Sequence, residues 1–182
     1  VYKRQLVALD IVQVRHGHGM FVGQVSMRPM IESLVFRGLL KPGDDYRSLR
    51  DVVEVRTLLD SALADEVIAV WHGRQDRRID EVVIEMERLA DAGSTFTEQD
   101  RLFHAMLLKP LPNQLFRHLN DAFWSVHTLT VPMLGAPRPE DIRLTTNAHR
   151  AMLSAARKGD VDAYRAAISD HYAPLLRVLE AG

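Results

Sequence analysis

The residues best equipped for chemistry are one aspartate and three histidines: Asp100, His104, His149 and His171. In the stretch TEQDRLFHAMLL, Asp100 and His104 stand four apart and so share one face of a helix, which Phe103 and Leu107 turn inward. His149 falls on a stripe with Ile142, Thr145, Met152 and Ala156, and His171 on one with Tyr164, Ile168 and Leu175. They lie 10 residues before and 12 after Gly159. At a rise of about 1.5 Å per residue, an antiparallel hairpin of helices brings the two to similar depth. Two interpretations are open at this point. Each residue could be an ordinary core polar group bonded to a neighbour. Alternatively, the four together hold a divalent metal, which would offset the several kcal/mol that an unpaired buried carboxylate costs. The chain has no cysteine, so any metal must be held by His, Asp, Glu or water. Zinc comes first, and nickel, manganese, cobalt or ferrous iron also suit imidazole with carboxylate.

Arg56 is a fifth polar residue on an apolar stripe, with Val52, Leu59 and Leu63. It either pairs with Asp60, four residues on, or reaches into a pocket to fork onto a carboxylate. Of the other histidines, His72 falls at a helix end, and His118 and His127 flank a stripe, with His127 within reach of a pocket. Trp71 and Trp124 are expected in the core or an interface, since no basic groove accompanies them as a stacking surface for nucleic acid.

Composition narrows the classes. At 182 residues with 47% hydrophobic residues, the chain can bury one principal core. No apolar run approaches the roughly 20 residues of a membrane span, and no signal peptide opens the chain, so no membrane association and a cytoplasmic location are expected. A formal net charge of −1 argues against this chain alone gripping nucleic acid strongly, because phosphate affinity comes from clustered Lys and Arg.

The elements that must position these groups are nearly all helical. The exception is residues 7–22, VALDIVQVRHGHGMFV, where two β-branched runs flank His16-Gly17-His18-Gly19, a hairpin turn signal. No helix or third strand is expected before this hairpin. Helices are then expected over 29–39, stopped by Lys41-Pro42-Gly43, over 48–72 as one long element, and over 77–92, closed by Gly93. Thr97 is expected to cap the helix of Asp100 and His104, which Pro110 and Pro112 end, and Asn113 to cap the next. That next helix should bury Leu115, Leu119, Ala122, Val126 and Leu129. After a loop at Gly135–Pro139, two last helices over 140–158 and 161–179 meet at Gly159-Asp160. The fold class is therefore all-α, an antiparallel bundle of about six to seven helices preceded by a β-hairpin.

These motifs carry a resemblance. Glu54-Val55-Arg56 with Leu59, Asp100-Arg-Leu-Phe103-His104 followed by Asn113, His149 ahead of Ala155 and Gly159-Asp160, and then His171, resemble the FCD effector-binding domain of the FadR-type branch of GntR-family transcription regulators. The resemblance covers residues 28–182. It implies that Asp100, His104, His149 and His171 hold the metal and that Arg56 helps bind a small carboxylate metabolite. Arg15-His-Gly17-His-Gly19-Met-Phe21-Val22 resembles the wing that closes the family's winged helix-turn-helix. Met20 stands where the family has Thr, and residues 1–5 do not match its recognition helix. Residues 1–24 are thus expected to be the C-terminal remnant of a DNA-binding domain, with Arg15, His16 and His18 contacting DNA and operator binding confined to the full-length protein.

The function implied is a metabolite-responsive regulator, not an enzyme, working as a homodimer. Sugar acids, hydroxy acids, dicarboxylates and aromatic acids all satisfy a metal plus one arginine. The alternative is a metal-dependent hydrolase or lyase that activates water at the same site, but no general base shares these stripes, Glu98 pointing elsewhere. A structural metal in an interaction module would need every coordination position filled by protein.

Overall fold

The computed structural model describes residues 2–23, 26–39, 46–130 and 137–181. Helix α1 (Tyr2–Ala8) comes first, against the expectation of none before the hairpin. Its run of Lys3, Arg4, Gln5, Leu6 and Ala8 consists of good helix formers, enough for seven residues backed by packing against the first strand. Strands β1 (Val12–Arg15) and β2 (Gly19–Val22) then pair antiparallel with Val12 opposite Val22 and Arg15 opposite Gly19. Gly17 and Gly19 take φ of 78° and 98°, the left-handed backbone this turn requires.

The bundle comprises α2 (Arg28–Leu39), α3 (Arg47–Ala62), α4 (Ala64–Trp71), α5 (Arg77–Asp91), α6 (Thr97–Leu108), α7 (Gln114–Thr130), α8 (Pro139–Lys158) and α9 (Val161–Ala181). The expected all-α class holds, with one helix more than the upper expectation among the described residues of the bundle. The long helix over 48–72 is in fact two, parted at Leu63, whose ψ of 2° opens the turn. Buried positions run Val53, Arg56, Asp60 and Leu63 before the break, and Ala64, Val67, Ile68 and Trp71 after it. The break lets α4 bury Ala64 and Ile68 as well as the stripe. Lys41-Pro42-Gly43 and Gly135 lie outside the described residues, and Pro139 is the first residue of α8 rather than part of a loop.

Two caps turn out differently. Asn113 Oδ1 accepts from the Leu115 N–H at 3.0 Å, as expected. Thr97 does not cap α6, because Phe96 occupies that position, buried with its ring edge-on to His149, and leaves Thr97 exposed as the first helical residue. On α7, Leu115 and Leu129 are 50% and 58% exposed. The bulky pair Phe123 and Trp124 goes inside and sets the rotation of the helix, which leaves its two terminal leucines outside.

The α8/α9 hairpin is the central element and packs against α3, α4 and α5. It closes where Gly159 takes φ 79° while the Gly159 and Asp160 N–H groups bond back to Ala156 and Ala155, and Asp160 Oδ1 then caps α9 through the Ala163 N–H at 2.9 Å. On α5, Ile79, Val83 and Met86 are at most 1% exposed. Each such side chain contributes about 1.5–3 kcal/mol by leaving water. Trp71 ties α4 to α6 by donating Nε1–H to the Leu107 carbonyl at 2.8 Å. No described helix is long and apolar enough to cross a membrane.

Candidate metal centre and adjoining cavity

α6 supplies Asp100 and His104, α8 supplies His149, and α9 supplies His171. One ligand atom from each lies within 4.8 Å of all the others. The ring centroids of His149 and His171 are 4.5 Å apart, so counting outward from Gly159 does bring them level. Ring centroids of His104 stand 5.3 Å from His149 and 5.0 Å from His171. All three imidazoles are buried, His149 completely, and Phe103 packs edge-on to His149 and His104.

The hydrogen bonds around His149 fix its tautomer. Nδ1 lies 2.8 Å from the Thr145 carbonyl oxygen, which can only accept, so Nδ1 carries a proton. In the neutral ring Nε2 then presents a lone pair, and it faces Asp100 Oδ1 at 3.0 Å. Acceptor opposes acceptor. A second proton on the ring or a cation beside both atoms resolves the conflict, and a backbone carbonyl on the far nitrogen is a usual companion of a metal-ligating histidine. His104 Nε2 is 3.3 Å from the same oxygen but lacks hydrogen-bond geometry, so it has no partner, and neither has His171 Nδ1. The chemistry of the four donors fits a divalent cation.

The electrostatics point the same way. Burial holds the His104 and His171 imidazoles below their usual value, and for His171, held well below it, the neighbouring His149 and His104 add to the effect. Burial works to raise the Asp100 carboxyl, yet His149 and His104 outweigh it and keep the group well below the usual carboxylate range. Imidazoles held toward neutrality at His104 and His171 beside an ionised carboxylate are protonation states that suit a metal.

Beside the cluster lies a cavity of about 210 Å³. Asp100 and His171 form part of its wall, together with Arg56, Trp124, His127, Tyr172, Phe96, Ile142, Thr145, Leu175 and Val178. Arg56 is 5% exposed. Its guanidinium lies over the rings of Trp124 and Tyr172, at 5.4 and 5.5 Å. Both alternatives for Arg56 are partly realised, since it faces the cavity and also approaches Asp60. That approach, 3.9 Å from Nε to Oδ2, is too long for a hydrogen bond, and Asp60 instead accepts from the Tyr172 hydroxyl at 2.6 Å. Arg56 Nε and Nη2 have no partner.

Other expectations sort cleanly. His127 does line the cavity, stacked on Trp124, and burial pushes its imidazole down to about 4. Trp124 is both core and cavity wall. His72 and His118 are exposed and lie outside the cluster and the cavity. Glu98 pairs with Arg101 on the surface, so it is not a base for the cluster. Arg15, His16 and His18 sit on the exposed hairpin, where Arg15 lies 4.7 Å over Phe21. Sequence reasoning overlooked Tyr172, Asp141 and Pro174. The proline inside α9 carried a signal, since it removes an N–H from the helix ladder beside the cavity.

The site is thus a buried Asp–His cluster beside a cavity inside a helical bundle. Residues 51–174 match the family model of the FCD domain, and the chain belongs to that family. The transcriptional regulatory protein NedR of Micromonospora viridifaciens is 46% identical over 91 residues, 50% of this chain and 65% of that protein. The galactonate operon transcriptional repressor of Escherichia coli K12 is 23% identical over 88% of this chain and 70% of its own length. Among solved structures, Streptococcus agalactiae GntR superposes with a TM-score of 0.66 at 25% identity, covering 96% of this chain and 78% of that one. The first two relatives are named as transcription regulators, not enzymes.

Proposed function

We propose that the chain is the metal- and carboxylate-sensing part of a GntR-type transcription regulator. The observation that carries this is the meeting, on one cavity, of Asp100 and His171 from the cluster with Arg56: His171 Nδ1, Arg56 Nε and Arg56 Nη2 have no hydrogen-bond partner, and neither has His104 Nε2 in the same cluster. Asp100, His104, His149 and His171 would hold the divalent ion, zinc before nickel, manganese, cobalt or iron. The ion would supply a Lewis-acidic position for a carboxylate oxygen. Arg56, planar and held between Trp124 and Tyr172, forks onto the same carboxylate. A relative named for a galactonate operon supports an acid as effector.

Residues 1–24 belong to the DNA-reading unit and residues 28–182 to the sensing unit. In the full-length homodimer, a cytoplasmic protein, effector binding changes how the paired DNA-reading units meet the operator. Arg15, His16 and His18 are its phosphate contacts on the hairpin. By itself this chain offers one arginine and two histidines there, too few to hold DNA at physiological salt.

The test is a thermal-shift screen of carboxylic acids on metal-loaded protein, with and without chelator, repeated on Arg56→Lys. Acids should raise the melting temperature only with metal present. Arg56→Lys should weaken binding about tenfold or more with metal content intact. Equal binding by Arg56→Ala would return Arg56 to a structural partnership with Asp60.

A further inference from the structure

The apolar lining of the cavity includes Phe96, Trp124, Ile142, Leu175 and Val178. Three of the polar side chains on the cavity, Tyr172, Asp141 and Thr145, are engaged with the protein itself, while Thr95, Thr97 and His127 line it as well. The Tyr172 hydroxyl donates to Asp60 at 2.6 Å. Asp141 is held from two sides, by Arg138 Nε at 2.8 Å and by Arg177 Nη2 at 2.7 Å. Thr145 Oγ1 donates to the Asp141 carbonyl at 2.9 Å. Arg56 also lines the cavity, and its Nε and Nη2 have no hydrogen-bond partner.

Such a wall discriminates on the body of the acid. A polyhydroxylated acid carries a hydroxyl on nearly every carbon, and each one moved from water onto an apolar surface loses hydrogen bonds without replacement. An aromatic or aliphatic body gains from the same surface, and an aromatic ring gains further from Trp124 and Phe96.

We infer that the effector is a carboxylate with an apolar, preferably aromatic, body and that the cavity selects against sugar acids. This rests on the cavity being the effector site, so the test separates the two. The zinc-loaded full chain is titrated calorimetrically with benzoate, phenylacetate, 3-phenylpropanoate and gluconate, in wild type, Arg56→Ala and Val178→Thr. An apolar pocket rejects added hydroxyls by up to about 10²-fold, so the best arylcarboxylate should bind at least about tenfold tighter than gluconate. Arg56→Ala should weaken it by about tenfold or more. Val178→Thr, close in shape, should narrow the gap to gluconate about threefold by adding one hydroxyl to the wall. Gluconate binding as tightly as the aryl acids, and through Arg56, would overturn the selectivity and keep the effector site. An unchanged gap in Val178→Thr would mean that the body does not lie on this wall, and the inference would fall. No binding by any of the acids, or binding indifferent to Arg56→Ala, would overturn the inference and the effector site together.

Discussion

The side of the bundle built from α4, α5 and α8 and the side built from α3, α6 and α9 are made on different principles. On the first, Val67, Ile79, Val83, Met86 and Ala156 fill the interior at 1% exposure or less. At its rim Arg157 forks onto Asp80 and Arg150 onto Glu87. On the second, Arg56, Asp60, His104 and His171 are buried, with His149 facing them from α8. Four of the seven unpartnered buried side-chain atoms among the described residues belong to Arg56, His104 and His171. Apolar packing completes the first side from within the chain. The second collects polar atoms that the proposed cation and carboxylate would partner.

The largest effect is expected on the apolar side. Trp71→Ala removes a large buried side chain and its bond to Leu107, and should cost about 3–5 kcal/mol. For a chain of this size that lowers the melting temperature by about 10 °C or more. Metal content per folded chain should not change, and a loss of metal in this variant would blur the contrast between the two sides.

On the polar side, the comparable effect should come from chelation. A ligand at about 1,000 times its dissociation constant stabilises by about 4 kcal/mol. Stripping the metal should therefore lower the melting temperature by about 10 °C, and His171→Ala should already sit near the stripped value and respond little to chelator. Equal chelator sensitivity in His171→Ala and wild type would contradict the assignment.

Above the carboxylate range, acid should act chiefly on the polar side. The folded state holds His104 and His171 below the usual imidazole value of 6.5, so the unfolded chain binds more protons there. Their contribution is complete above pH 6.5 and is lost as pH falls from 6.5 toward the lowered folded values, while that of Asp100 is lost only below its ordinary 3.8. His127, pushed down to about 4, adds to the loss between pH 6.5 and 4. Melting temperature against pH on chelated protein should fall through that window, and His127→Gln should flatten the fall.

A smaller effect tests the hairpin that levels the two histidines. Gly159→Ala puts a Cβ on a residue at φ 79° and 3.3 Å from the His72 ring. The exposed ring can yield, so the backbone term dominates at about 1–2 kcal/mol. Denaturant titration should show that loss with metal content unchanged.

Features that depend on helical periodicity were legible in the sequence. Asp100 and His104 share a face because they are four apart, and His149 and His171 are level because both are counted from Gly159. Features set by packing between helices were hidden. No glycine or proline marks Leu63, so nothing local announces that α3 and α4 part there. A threonine at position 97 looks like a cap until the burial of Phe96 decides the start of α6. Leu115 and Leu129 fit an apolar stripe, but Phe123 and Trp124 outweigh them in choosing which face goes inside. The cavity is lined from α3, α6, α7, α8 and α9, and the pattern of one helix does not reveal a wall shared among several.

The central claim is that the buried Asp–His cluster is completed by a metal, and elemental analysis of the purified protein tests it most directly. Wild type should carry about one divalent ion per chain. His149→Ala and His171→Ala should lose most of it, while Trp71→Ala, destabilised by as much or more, keeps it. Wild type free of metal after growth and refolding with zinc or nickel, or unchanged stoichiometry in both histidine variants, would contradict the account.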